Sequence, residues 1–297
     1  MAAREILNKM KEKVLGSSDY DSGKGKSKMS KNITHGFYLV KGRSYHAMED
    51  YVVAQFKKVE NNELGLFAIF DGHAGHNVPN YLRSHLFDNI LNEPDFWKEP
   101  TDAMKRAYDV TDSTILEKSG ELGRGGSTAV TAILINGQKL VVANIGDSRA
   151  VLCKNGVAKQ ISVDHEPTTE SEDIQNRGGF VSRGFYAVVS AKDTTFVINS
   201  GDVPRVDGRL AVSRAFGDKS LKKHLSSEPY VTVEMIHDDA EFIILASDGL
   251  WKVMSNQEAV DTIRDLKDAR SSAKRLTEEA LDRKSTDDIS CIVVKFQ

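Results

Sequence analysis

The chain has 297 residues, 40% of them hydrophobic and 28% charged, and a formal net charge of −3. That length suits one large domain or two small ones with ample volume for a core. The balanced charge argues against nucleic acid as the main partner, and no apolar run approaches the roughly 18 residues of a membrane span. With two cysteines, Cys153 and Cys291, no disulfide framework is expected; a reducing compartment, cytoplasmic and/or nuclear, is.

The first residues are polar and basic, unlike a secretory leader. Residues 1–32 are rich in Lys, Ser and Gly and poor in apolar groups. Such a segment buries too little surface to offset its ordering entropy, so it reads as a flexible basic arm. From residue 33 to 297 the pattern is continuous and globular. Strands are expected at FYLV (37–40), YVVAQF (51–56), GLFAIF (65–70) and STAVTAILI (127–135). Further strands are expected at KLVVANI (139–145), RAVLC (149–153), EFIILAS (241–247) and ISCIVVKF (289–296). Asn-Gly pairs at 136–137 and 155–156 predict tight hairpins and antiparallel pairing. Helical periodicity covers 76–91, 101–118, 255–267 and 269–284. Hairpins stand apart from the long helices rather than alternating with them, which predicts a layered α+β fold. Residues 180–208 lie between a Gly-Gly pair and a Gly-Asp/Pro-rich run, and read as a long surface excursion with small strands of its own.

Four strand ends carry carboxylates: Asp71 after GLFAIF, Asp248 after EFIILAS, Asp287 and Asp288 before ISCIVV, and Glu49 and Asp50 before YVVAQF. At any one of them an Asp-Gly is an ordinary turn. Together they converge if those strands are neighbours, and converging carboxylates repel unless a cation intervenes. All-oxygen donors select hard ions, Mg²⁺ or Mn²⁺. Gly72, without Cβ, leaves its carbonyl open to such an ion. Two ions bridged by a carboxylate generate hydroxide and clamp an in-line displacement at phosphorus. His73, beside that site, is a candidate proton donor to the leaving alkoxide; His76 reads as structural.

These motifs, in order, resemble the metal-dependent type 2C serine/threonine protein phosphatases, the PPM family. The matches are MED (48–50), FDGHAG (70–75), GSTAV (126–130), ANIGDSRAVL (143–152), DHEP (164–167), GRLAVSRAFGD (208–218), ASDGLW (246–251) and TDDIS (286–290). They span about residues 35–297, and their wording is similar to the plant branch. The resemblance implies a four-layer αββα fold, a central β-sandwich of two antiparallel sheets flanked by α-helices. It implies hydrolysis of phosphoserine and phosphothreonine in proteins by a water bridging two Mn²⁺ or Mg²⁺ ions. By position, Asp71 is similar to the bridging ligand, Gly72 to the carbonyl ligand, and Asp248 and Asp287 to ligands of the second metal. Glu49 and Asp50 would hold metal-bound waters, His73 would be the general acid, and Asp147 aligns with a third, weaker metal site.

Three positions depart from the family pattern. The phosphate-binding Arg four residues before the MED glutamate is replaced by Tyr45, leaving Arg43 two residues earlier to reach the phosphate. Asp after the DGLW tryptophan is replaced by Lys252, expected to substitute for the third cation or to bind phosphate, so that Lys252→Asp strengthens dependence on millimolar metal. Asp288 stands where Asn is common. The departures at Tyr45 and Lys252 keep a catalytically weak or inactive phosphatase-like scaffold as the alternative. The excursion at 180–208 falls at the family's flap and is expected to shape substrate choice. With tryptophan at 97 and 251 alone, the flap lacks the one that abscisic acid receptors engage, so that partner is not expected. A phosphoprotein-directed monomer is.

Overall fold

The computed structural model describes residues 20–28, 32–43, 46–183, 186–191, 194–199 and 203–296, with only the backbone described from 186 to 199. In chain order the elements begin with β1 (Tyr20–Lys26), β2 (Thr34–Val40), β3 (Asp50–Val59) and β4 (Asn62–His73). Helices α1 (Asn77–Leu91), α2 (Pro100–Glu117) and α3 (Ser119–Leu122) follow. Next come β5 (Gly126–Ser127), β6 (Ala129–Ile135), β7 (Lys139–Ile145), β8 (Arg149–Lys154), β9 (Val157–Gln160) and α4 (Ser171–Asn176). The excursion carries β10 (Val181–Arg183), β11 (Tyr186–Ala191), β12 (Thr194–Asn199) and β13 (Pro204–Val206). The chain closes with β14 (Phe216–Gly217), β15 (Tyr230–Met235), β16 (Ala240–Ala246), α5 (Asp248–Trp251), α6 (Asn256–Ile263), α7 (Ala269–Asp282) and β17 (Ile289–Lys295).

Two antiparallel sheets form a sandwich. One runs β1-β2-β17-β16-β8-β9; the other runs β14-β5-β4-β6-β7-β15, with β3 also paired to β4. The period-2 alternation of strands explains why the central ones are apolar throughout. In β4, Phe67 and Ile69 point between the sheets, toward Leu152, Ile243, Leu245 and Ile292 of the other sheet. Leu64, Leu66, Ala68 and Phe70 point the other way, under Val78, Leu82, Leu86, Met104 and Tyr108 of α1 and α2. In β16 the same split sends Phe242, Ile244 and Ala246 to the outer face, beneath α5, α6 and α7. The result is four layers, α-β-β-α, the fold that the family resemblance implies.

Both Asn-Gly turns form hairpins. Asn136 and Gly137 have φ of 52° and 72°, Asn155 and Gly156 of 48° and 76°, the left-handed pair a two-residue turn needs. Helix α6 starts on a capping box: Ser255 Oγ accepts from the Glu258 N–H while Glu258 Oε2 accepts from the Ser255 N–H. It ends at Ile263, four residues before the expected 267.

The arm expected over residues 1–32 needs correction. Residues 1–19 lie outside the described residues, but Tyr20–Lys26 is an edge strand paired along its length with β2. The glycines that suggest flexibility are what let it lie flat. A Cβ on Gly23 would sit 2.5 Å from the Phe37 ring, and one on Gly25 would sit 2.3 Å from His35 Nε2. Tyr20 stacks on Tyr38 with ring centroids 5.5 Å apart.

The excursion at 180–208 has its own small core. Strands β10 and β13 pair with each other, β11 and β12 form a separate hairpin, and Val206, Ile174, Leu221 and Leu225 pack beneath with Val181 and Leu210.

Gly36 marks a close approach of a helix to the first sheet: a Cβ there would stand 2.1 Å from the Arg270 backbone N of α7. Backbone cannot yield as a flexible side chain does. Gly36→Ala is expected to lower the unfolding free energy by about 1–3 kcal/mol, the usual cost of overpacking. The check is the urea midpoint, with the m-value unchanged.

Candidate active site

The sandwich brings the ends of four strands to one place. Asp71 sits near the end of β4, directly across from Asp50 of β3. Asp147 follows β7 in the turn to β8, Asp248 opens α5 after β16, and Asp287 precedes β17. β16 and β17 are neighbours, joined past their ends by the Ser247 N–H to Ser290 O. The Asp71 carbonyl is held by the Thr128 N–H at 2.9 Å and by Ser127 Oγ.

Carboxylate oxygens of Asp71, Asp147 and Asp248 all lie within 4.8 Å of one another. They open into a cavity of about 230 Å³, lined also by Glu49, Gly72, His73, Thr128, Arg205 and Asp287. Burial, then Asp50, Asp248, Asp147 and Asp287, push the Asp71 carboxyl well above its ordinary range. Burial and the neighbouring Asp248 push Asp147 up to about 8, against the pull of Lys252. Burial pushes Asp50 up to about 7, with Ser290 Oγ donating to its Oδ2 at 2.6 Å as a partial offset. Asp248 is raised too, chiefly by burial. Oxygen-only donors, crowded and unable to ionise together, are what a hard divalent cation fits.

The remaining residues sort by what they touch. Asp287 lines the cavity, but its Oδ2 accepts from Lys252 Nζ at 3.0 Å. Glu49 also lines it, and its Oε1 accepts from the Gly75 N–H at 2.7 Å, fixing the loop after His73. Asp50 is buried behind Asp71 rather than exposed to the cavity. Gly72 is required by packing as well: a Cβ there would meet Pro79 at 2.6 Å and Glu49 O at 2.8 Å. Asp288 accepts the Gly42 N–H on Oδ1 at 2.7 Å and the Glu49 N–H on Oδ2 at 2.9 Å. That double use accounts for an acid where an amide is common, because a carboxylate accepts on both oxygens.

Arg43 is exposed, its N–H donating to Thr286 O, and it is absent from the cavity lining; Tyr45 lies outside the described residues. The arginine that does line the cavity is Arg205, on β13, whose Nη1 donates to Arg209 O at 2.8 Å. Sequence reading missed it because only folding brings Arg205 to the cavity of the clustered carboxylates. It missed Asp218 as well. Asp218 Oδ2 lies 2.7 Å from His73 Nε2, with Asp218 held at φ 52° by its N–H to Gly125 O. The Gly-Asp pair at 217–218 is the one available clue.

The comparisons with known proteins agree with this geometry. The family model "Protein phosphatase 2C" matches residues 41–289. The chain belongs to the protein phosphatase 2C family, and it is a serine/threonine protein phosphatase. It is 68% identical to "Probable protein phosphatase 2C 39" of Arabidopsis thaliana, over the whole of both chains. It is 61% identical to "Probable protein phosphatase 2C 62" of Oryza sativa subsp. japonica, over the whole of this chain and 99% of that one. A crystal structure of serine-threonine phosphatase 2C from Toxoplasma gondii superposes with a TM-score of 0.74 at 22% identity, covering 94% of this chain and 99% of that one; it supports the fold alone. Among the described residues no helix is long and apolar enough to cross a membrane.

A pH dependence follows from the raised carboxylates. Asp50 and Asp147 bind protons more tightly folded than unfolded, where the ordinary value is 3.8. Their contribution to stability is therefore complete below about pH 4 and is lost as pH rises through about 7 to 8. In EDTA the melting temperature is expected to fall from pH 6 to pH 8.5. Mn²⁺, by neutralising the same carboxylates, should flatten that slope.

Proposed function

We propose that the chain hydrolyses phosphoserine and phosphothreonine in proteins using two Mn²⁺ or Mg²⁺ ions held by Asp71, the Gly72 carbonyl, Asp248 and Asp287. Asp147 would serve a third, weaker ion. The observation that carries this reading is the convergence of the Asp71, Asp147 and Asp248 carboxylates within 4.8 Å in a protein phosphatase 2C chain. Such ions would supply a water activated as nucleophile and would neutralise charge at phosphorus.

The chain's own groups do the rest. Glu49, on the cavity wall, would hold metal-bound water, whereas Asp50, buried across from Asp71 and hydrogen-bonded by Ser290, would act through Asp71. Arg205 is the arginine suited to grip the substrate phosphate, since the residue lines the cavity and a planar guanidinium fork matches phosphate oxygens. His73 donates a proton to the departing serine or threonine oxygen. Asp218 accepts from its Nε2 and so fixes ring and tautomer. Cytoplasmic and/or nuclear residence belongs to the same reading, supported by two free, buried cysteines.

Two measurements check it. Turnover of a phosphothreonine peptide should require Mn²⁺ or Mg²⁺, cease in EDTA, and be abolished in Asp71→Asn. Turnover that persists in EDTA sinks the metal reading. Asp218→Asn should slow the phosphothreonine peptide by about tenfold or more, part of the ~10²–10⁴ a general acid contributes. An aryl phosphate, whose leaving group needs no proton, should be slowed far less; equal losses on both would reject the His73–Asp218 pair as an acid unit.

A further inference from the structure

Among the described residues, Lys252 is the lysine that pairs with two carboxylates of the cavity, Asp248 and Asp287. It caps the C-terminus of α5, four residues after Asp248, and its N–H bonds Asp248 O at 2.9 Å. That one helical turn folds the side chain back over Asp248, with which its ammonium forms an ion pair. The same Nζ lies 3.0 Å from Asp287 Oδ2. So one ammonium joins the two side chains that the metal reading gives to the second ion. Arg149, nearby, is committed elsewhere, to Asp164 and Asn256 and over the Trp251 ring.

We infer that Lys252 is a resident counter-cation that competes with the second divalent ion for Asp248 and Asp287, so that this ion binds weakly and exchangeably. The inference rests on the two-ion reading above and adds the regulation of its second site. It differs from the expectation that Lys252 replaces a third cation, because the ammonium contacts Asp287 as well as Asp248.

Three physical facts support it. A divalent ion and an ammonium need the same carboxylate lone pairs, and their like charges repel at that range. Mg²⁺ needs oxygen at about 2.0–2.1 Å in near-octahedral array, which leaves no room for an ammonium bridging the same two groups. The Lys252 side chain is 58% exposed whereas that of Asp248 is 14% exposed, so the lysine can swing to solvent while the carboxylate stays in place. Burial alone would lower the Lys252 ammonium, yet Asp248 and Asp287 outweigh it and hold the group above its ordinary value. Without an ion, the lysine relieves the carboxylate repulsion. With one, it must be displaced, and the loss of its ion pairs subtracts from the ion's affinity. The ion shared by Asp71 and Gly72 makes no such exchange.

The test is calorimetric titration of the whole chain with MnCl₂, comparing wild type, Lys252→Met and Lys252→Arg, with melting temperatures measured in EDTA. In wild type the second ion should bind more weakly than the first. Lys252→Met should tighten that second step by about tenfold, the order expected for losing two partly exposed ion pairs, and leave the first step within about twofold. Lys252→Arg keeps the charge and should stay near wild type. In EDTA, Lys252→Met should melt below wild type, because its carboxylates have lost their counter-cation. If Met fails to fold, Lys252→Gln carries the same comparison. A second step unchanged or weakened on removing the charge would overturn the inference while leaving the two-ion reading intact. Flat isotherms in every protein would overturn the two-ion reading and the inference with it.

Discussion

Carboxylates that repel one another, forced to one end of a β-sandwich, are the constraint around which the molecule is organised. Asp71, Asp147, Asp248 and Asp287 each hang on the end of a strand or the turn that leaves it. Those strands are fixed by cores on both of their faces. The acids therefore cannot separate without unpairing β4, β7, β16 or β17. Large apolar burial holds them in a geometry their own charges oppose, and burial first, then the neighbouring carboxylates, raises the carboxyl groups of Asp71, Asp147 and Asp248 above the ordinary range. Lys252 answers it from within the chain for Asp248 and Asp287, and a bound cation would answer it from outside.

Carboxylates of one chemical type divide here into two jobs, and the difference lies in where the backbone N–H groups point. Asp71, Asp147 and Asp248 face open space and one another. Asp288, one residue from Asp287, faces two amides more than 200 positions away in sequence, those of Gly42 and Glu49. It staples the start of β17 to the loop that delivers Glu49. Glu49 in turn holds Gly75 and so shapes the path of the chain after His73. The cavity carboxylates are thus positioned by a second tier of acids that accept backbone N–H groups.

Much of this was legible in the chain itself. Period-2 apolar runs located the central strands, and Asn-Gly pairs located two hairpins, because both patterns are local. The carboxylate grammar at strand ends located Asp71, Asp248 and Asp287 for the same reason. What escaped depended on contacts between distant segments. β1 looks disordered by composition, yet Gly23 and Gly25 are sites where a strand crosses the Phe37 and His35 rings. Asp218 reaches His73 across 145 positions. Arg43 seemed the natural replacement for the family arginine because it is near in sequence; Arg205 is nearer in space to the acids.

The flap shows how such a site can vary its substrates without disturbing its chemistry. Arg205, Leu210, Ala211 and Val212 form a wall of the cavity. Yet the segment rests on a core separate from the sandwich, made by Ile174, Val206, Leu221 and Leu225. Polar ties secure its base: His224 to Asp207, and Arg177 to the His224 carbonyl. A change at Arg205 therefore alters the cavity wall, while the strands that carry Asp71, Asp147, Asp248 and Asp287 stay pinned by their own cores. Separate packing of wall and floor lets one evolve while the other is held fixed by the sandwich cores.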